Sequence, residues 1–435
     1  MTDQQSKTGH RAPLGYLSLF YLAVFWPGVL YAAGAEPQPQ PNPPVPQPYD
    51  LEKLFQRAKQ ACPSSGLACL EPQFQSITAR HGPAAAIELF TLLRNRGIVA
   101  ANVDGHHAVH HIGHETAIVF GPTGEALALC PDSYNYGCMH GFFQHALGMG
   151  VLSDRSAAAI CDHLQTPFIS LKTVLSCYHG FGHGVMVSSK YDLKQALGRC
   201  DKLESPVFQQ DCWQGVFMEN VDSAIDGEWQ RRGFSRENPL APCDTVDEKH
   251  QGQCFINQSA WMMKVFHNDI GAGAEVCLKA PARSVAPCLE GVGLLTTNTA
   301  WQPKLLPAGG AQASFLTGAW ALCKRFPESS VGDCVVAGVD NLLNSGLGDE
   351  KQGQVFCETV DEAYRSRCSQ RIQDDMHYLT PLKKSPSRLR TGPELEREQP
   401  YRSWQTGTVE RWVEGNYRLS IAATAAGNQL NLAQA

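Results

Sequence analysis

Charge is scarce in this chain, and what there is leans acidic. Asp, Glu, Lys and Arg make up 18 % of the 435 residues, and the formal net charge is −6 with His neutral. The basic stripe that nucleic-acid binding requires is therefore missing. Long apolar runs are missing too, apart from one near the N-terminus; no later stretch approaches the ~18–20 residues needed to span a bilayer. No alternating apolar–polar pattern is long enough to argue for a sheet. Several catalytic signatures are also absent. There is no C-x-x-C-H for covalent haem, and His114-Glu115 is followed by Ile118 where an H-E-x-x-H metalloprotease needs its second His. No serine-hydrolase elbow or phosphate-cradling glycine loop stands at a strand–helix junction, so no nucleotide cofactor is expected.

What the chain has instead is cysteine, sixteen of them, at regular intervals. Cys243/Cys254, Cys277/Cys288, Cys323/Cys334 and Cys357/Cys368 each have ten residues between the two members. Cys130/Cys138, Cys161/Cys177 and Cys200/Cys212 are looser versions of the same pair, and Cys62/Cys69, bounding a short loop, makes the eighth. The first member closes an apolar stretch, as in ALALC (126–130), AAAIC (157–161) and GAWALC (318–323). The second opens another, often with Gly three positions on: CMHG, CYHG, CWQG, CLEG. Spacings between successive second cysteines stay near the ~34–47 residues of helix–turn–helix repeats. The expected fold is all-α, a tandem array of disulfide-stapled helical hairpins forming a solenoid or an α/α toroid. Pairing within each hairpin is favoured over pairing between neighbours. Ser176, Asp211 and Asp333, directly before Cys177, Cys212 and Cys334, are the N-caps this pattern suggests.

An even, regular cysteine set implies an oxidising compartment. The N-terminus agrees: Lys7 and Arg11 precede LGYLSLFYLAVFWPGVLY (14–31), and Ala33-Gly34-Ala35 offers a small-residue cleavage site. Residues 1–35 read as a signal peptide, with a retained membrane anchor as the alternative and the only expected membrane contact. The chain is then secreted or periplasmic. Residues 36–49, rich in proline, form an extended linker, and the Cys-paired repeat domain runs over 50–379. Residues 380–435 read as a largely disordered basic tail, with a short helix near 408–421, and as a solvated linker rather than a surface-binding arm.

Histidine marks the site. Most of the fifteen histidines fall between His106 and His183. His107/His111 and His110/His114 are i,i+4 pairs on one helix, and His179/His183 in CYHGFGHG form another, so each pair can aim two imidazoles at one ion. Two positions after the second cysteine stand His140, His179 and Gln214; seven after it stand His145 and Glu219. If the units stack, these positions converge. A His in the first turn of a helix also meets the positive end of the macrodipole, which favours the neutral ring that metals bind. The expected metal ligands are His107, His111, His140, His179 and His183, with His145, Gln214, Glu219 and Asn220 around them. His106, His110 and His114 are expected on other helix faces. The cysteines are oxidised and unavailable, so the donor set suits Zn, Cu or Fe.

Two functional readings follow. In the first, the chain is an exported helical-repeat protein with a His-rich transition-metal site, extending to a metal-dependent enzyme; the pattern specifies a site and not a reaction. In the second, the array is a non-enzymatic scaffold that binds a small molecule or protein at its inner rim, and the histidines are structural.

Overall fold

The structure, a computed structural model, describes residues 44–63, 66–100, 103, 105–166, 168–300, 311–344 and 349–381, and three strands within 408–434. The candidate signal segment, most of the proline-rich linker and most of the tail between 382 and 407 lie outside the described residues. No described helix is long and apolar enough to cross a membrane.

Seventeen α-helices stand among the described residues. Helices α1 (Leu51–Ala61), α2 (Leu67–His81) and α3 (Pro83–Asn95) pack around a core of their own, with α4 (Gly105–Phe120) as its last wall. Residues 44–50 lie extended against this end: Gln47 N–H donates to the Arg80 carbonyl at 3.0 Å, and the Tyr49 hydroxyl donates to Glu88. From α4 onward, long helices pack in chain order: α4, α6 (Ser133–Gly148), α8 (Leu171–Ser188), α10 (Pro206–Ser223), α11 (Glu248–Val265), α13 (Val285–Ala300), α15 (Val331–Asn344) and α17 (Glu362–Leu379). Between them come α5 (Gly124–Leu127), α7 (Asp154–His163), α9 (Leu193–Cys200), α12 (Ile270–Cys277), α14 (Ala311–Cys323) and α16 (Glu350–Thr359). These intervening helices are amphipathic at helical spacing, as in α9, which buries Ala196, Leu197 and Cys200. One continuous core of buried side chains runs from Ala117 to Ile372.

The cysteines pair as the spacing implies. All eight disulfides form between consecutive cysteines: Cys62–Cys69, Cys130–Cys138, Cys161–Cys177, Cys200–Cys212, Cys243–Cys254, Cys277–Cys288, Cys323–Cys334 and Cys357–Cys368. Each ties the end of one segment to the helix that follows, and no free cysteine remains. Closing a loop of this size removes denatured-state entropy worth about 3 kcal/mol. Replacing Cys357 and Cys368 together by Ser should therefore lower the denaturant midpoint of the fold by about that amount in free energy. An unchanged midpoint would show that α16 and α17 need no staple.

Three local expectations are corrected. Helices α8 and α10 begin well ahead of their cysteines: Ser170 caps α8, its hydroxyl accepting from Thr173 N–H, and Ser205 precedes α10 with Pro206 in its first turn. Ser176, Asp211 and Asp333 lie inside helices rather than capping them. The second cysteine likewise does not open its helix. Cys69 does not bound a free loop but already stands in the first turn of α2, after Leu67, and Cys288 stands in the first turn of α13, after Val285 and Pro287. The two staples also differ in cover. Cys69 is only half-buried, its Sγ 3.7 Å from the Ala61 carbonyl oxygen, whereas Cys288 is fully buried within the long core. The short helix expected near 408–421 is not formed either. Thr408–Val413, Tyr417–Thr424 and Gly427–Gln434 are strands β1, β2 and β3 of an antiparallel meander, with Arg411 opposite Leu419 and Ser420 opposite Asn431. The β-branched and aromatic residues Val409, Trp412, Val413, Tyr417 and Ile421 favour extended backbone.

The far end of the series returns toward its start, because α17 also packs on α8. Arg371 of α17 bridges Asp340 of α15 at 2.5 Å and Asp375, one turn along, at 2.9 Å. Burial and the neighbouring Asp340 carboxylate push Asp375 up to about 8.

Candidate metal centre

The N-terminal half of the series is a quartet, α4, α6, α8 and α10, and five of its histidines converge inside it. Glycine lets the helices approach closely enough for this. A Cβ on Gly113 of α4 would lie 2.0 Å from the Cys138 carbonyl oxygen, and one on Gly141 of α6 would lie 2.0 Å from that of His110. The same reciprocal contact joins α8 to α10: a Cβ on Gly182 would lie 2.1 Å from the Cys212 carbonyl oxygen, and one on Gly215 2.0 Å from that of His179. Between α6 and α8, a Cβ on Gly184 would lie 2.4 Å from the Phe143 carbonyl oxygen. Backbones in contact put the side chains flanking each glycine into one shared interior.

Four histidines meet there. His106 and His110 of α4, His140 of α6 and His183 of α8 bring one nitrogen each within 4.8 Å of one another. His106 Nε2 is 3.0 Å from His110 Nε2 and 3.4 Å from His140 Nδ1. His179 adjoins the group, its Nε2 3.1 Å from His183 Nε2 and its ring 4.7 Å from that of His140. His110, His140, His179 and His183 are buried, and His106 is partly exposed. Burial first, and the neighbouring imidazoles second, hold His110, His140 and His179 well below the usual histidine range. These rings are neutral at physiological pH, the state a metal requires, but because they are dry. The helix-dipole argument does not apply to His179, which lies in the middle of α8.

A second layer orients the rings. His106 Nδ1–H donates to the Tyr134 carbonyl at 2.8 Å, and His179 Nδ1–H donates to Gln214 Oε1 at 3.2 Å. His183 Nδ1–H donates to Glu219 at 2.9 Å; the same carboxylate accepts from Tyr191 at 2.7 Å and Gln144 at 2.5 Å. Burial alone would raise the Glu219 carboxyl, but the hydrogen bonds from His183, Tyr191 and Gln144 outweigh it and hold Glu219 below the usual range. With Nδ1 committed on three rings, their Nε2 atoms face the cluster. That is how protein partners fix the tautomer of metal-binding histidines. The His140 Nε2, buried, has no hydrogen-bond partner.

Placement differs from expectation at several positions. His140, His179 and His183 are brought together, and Gln214 and Glu219 are their hydrogen-bond partners. His107 and His111 turn away: His107 Nε2 pairs with Asp222 at 3.0 Å, His111 Nδ1 pairs with Glu71 at 3.1 Å, and their side chains are 43 % and 57 % exposed. Their places are taken by His106 and His110, one residue earlier and so about 100° around the helix. His145 lies beside His114, ring centroids 6.2 Å apart, and Gln144 makes the contact to Glu219. Asn220 is buried but lines a separate void with Phe234, Asn257 and Gln258. The missed signal was Gly113. His106 and His110 precede it by seven and three positions and share its face, and Gly113 is the glycine of α4 in backbone contact with α6.

No protein-family model, curated protein or solved structure matches the chain. Its description therefore rests on its own geometry: a disulfide-rich helical protein with a buried four-histidine cluster that can hold a metal ion. Eight disulfides suit an oxidising, extracytoplasmic compartment.

Proposed function

We propose that this is an exported metal-binding protein whose centre is a single transition ion held by His106, His110, His140 and His183, with His179 as a fifth imidazole at its edge. The observation that carries the reading is the convergence of ring nitrogens about 3 Å apart, with the Nδ1 protons of His106, His179 and His183 committed elsewhere. Lone pairs that close repel unless a proton or a cation lies between them. Nitrogens about 2.0–2.1 Å from a common ion at tetrahedral angles stand about 3.3 Å apart. The distances of 3.0, 3.1 and 3.4 Å are close to that. Glu219 adds a buried negative charge that a cation would balance.

The donor set is imidazole throughout, which suits Zn, Cu or Fe and disfavours Mg or Ca. Catalytic zinc sites keep three protein ligands and an open position. Four imidazoles with a fifth adjacent, in a mostly buried interior, favour a filled centre that holds or exchanges its ion over one that activates water. The return of α17 to α8 favours the closed, toroidal form of the array over an open solenoid.

The test is elemental analysis of the full-length protein isolated from an oxidising compartment. Wild-type protein should carry one equivalent of a single transition metal. A His140→Ala/His183→Ala variant of unchanged helicity should carry less than about a tenth of that. A His107→Ala/His111→Ala variant should keep its metal. Metal-free wild-type protein, or equal metal in the His140/His183 variant, would leave only the scaffold reading.

A further inference from the structure

An ion held this deeply needs a way in, and the quartet offers unequal sides. Three of its seams are sealed by backbone against backbone: α4/α6 through Gly113 and Gly141, α6/α8 through Gly184, and α8/α10 through Gly182 and Gly215. The fourth, between α4 and α10, shows no such contact: the nearest neighbours of Gly105, Gly113 and Gly215 all lie on other elements. What bridges it is a side-chain pair, His107 Nε2 to Asp222 Oδ2 at 3.0 Å. His107 is 43 % exposed and Asp222 18 %. The His107 ring stands 6.2 Å from that of His106 and 5.5 Å from that of His110. His110, the nearer ring, and His106, the partly exposed member of the cluster, are the next imidazoles inward. Asp222 and Glu219 are three residues apart on α10 and share a face, so a carboxylate stands at the mouth of this seam and another at its end.

We infer that the His107–Asp222 pair is the port through which a hydrated divalent cation reaches the buried histidines. This rests on the metal-centre reading and adds a route and a gate to it. Asp222 draws the cation to the seam, and the His107 ring swings aside to admit it. Because His107 is not among the converging nitrogens, it controls how fast the ion moves and not how tightly it is finally held. Removing the gate should therefore speed loading and release together.

The measurement is the rate of Co²⁺ uptake by metal-depleted full-length protein, followed by its visible absorption, with the rate of stripping by excess chelator as the reverse step. His107→Ala should raise both rates at least about tenfold with one equivalent still bound. His107→Phe, which fills the seam with a ring that neither pairs with Asp222 nor binds metal, should slow both. Asp222→Asn should reduce the salt dependence of uptake, since steering by an exposed charge is screened. His111→Ala, which breaks the other exposed His–carboxylate pair on α4, should leave both rates unchanged. Wild-type stoichiometry with unaltered rates in His107→Ala and His107→Phe would overturn the port and leave the metal centre standing. Wild-type protein that binds no Co²⁺ would overturn both.

Discussion

Gly141→Ala should destabilise the protein by on the order of 3–5 kcal/mol, although it adds only one methyl group. The new Cβ would lie 2.0 Å from the His110 carbonyl oxygen, 2.6 Å from its carbonyl carbon and 2.7 Å from its Cα. All three are backbone atoms, so no rotamer change relieves the clash, and α4 and α6 must separate by more than an ångström. The reciprocal contact of Gly113 with Cys138 resists this, and Cys138 is anchored to Cys130 by its disulfide. Any separation that does occur carries His106 and His110 away from His140, so metal content should fall with stability. The control is Gly198→Ala. That glycine lies within α9 with nothing inside 4 Å of an added Cβ, and the change should stabilise by about 0.5–1 kcal/mol, because alanine has less unfolded-state freedom to lose. Urea midpoints and metal content for the two variants decide the matter. Equal midpoints would mean that the quartet is not closed backbone to backbone.

The contrast between those two glycines explains which parts of the molecule were legible in the sequence. A disulfide pairing leaves a regular spacing, and every staple could be read from it, because each closes a short local loop. The hairpin repeat was legible for the same reason. Helix starts were not: the second cysteine sits inside its helix, as Cys69 and Cys288 do, and the caps Ser170 and Ser205 lie upstream of theirs. On α4, the histidines at 106, 107, 110, 111 and 114 fan over about 140° of the helix surface, and counting i,i+4 pairs does not choose among them. Only the contact with the next helix chooses, and on α4 it is marked by Gly113, on the face whose His106 and His110 backbones meet Gly137 and Gly141 of α6. A glycine is informative here because nothing larger fits, whereas Gly198 meets nothing at all. Glu219 was legible as an equivalent position in the repeat. Its partners Gln144 and Tyr191 were not, because they come from α6 and from the turn after α8, and only packing brings them to one carboxylate.

Acid should unfold the metal-free protein through the same histidines. His110, His140 and His179 have folded-state values well below the 6.5 of an exposed imidazole, chiefly because burial disfavours the charged ring. Below pH 6.5 the unfolded chain takes up protons that the folded chain refuses. The contribution is thus fully present above 6.5 and is lost as pH falls toward the folded values. Between pH 7.5 and 5.5 each such ring withdraws about 1.4 kcal/mol, and three together about 4 kcal/mol. Asp375 acts in the opposite sense. Its carboxyl, pushed up to about 8 by burial and by Asp340, binds a proton in the folded state that the unfolded chain releases, so it adds stability as pH falls through this window. The measurement therefore belongs in an Asp375→Asn background, where the amide stands in for the protonated acid and no longer titrates. In that background, with a chelator present, stability from urea unfolding should drop by about 4 kcal/mol between pH 7.5 and 5.5. His110→Gln should remove about a third of the drop. Bound metal should move the onset to lower pH, because an ion that binds only the folded chain adds its own free energy of binding. A flat profile in the Asp375→Asn protein would mean that the three rings are wet. Wet rings would take up protons in the folded state as readily as in the unfolded chain, and burial would no longer be what keeps them neutral.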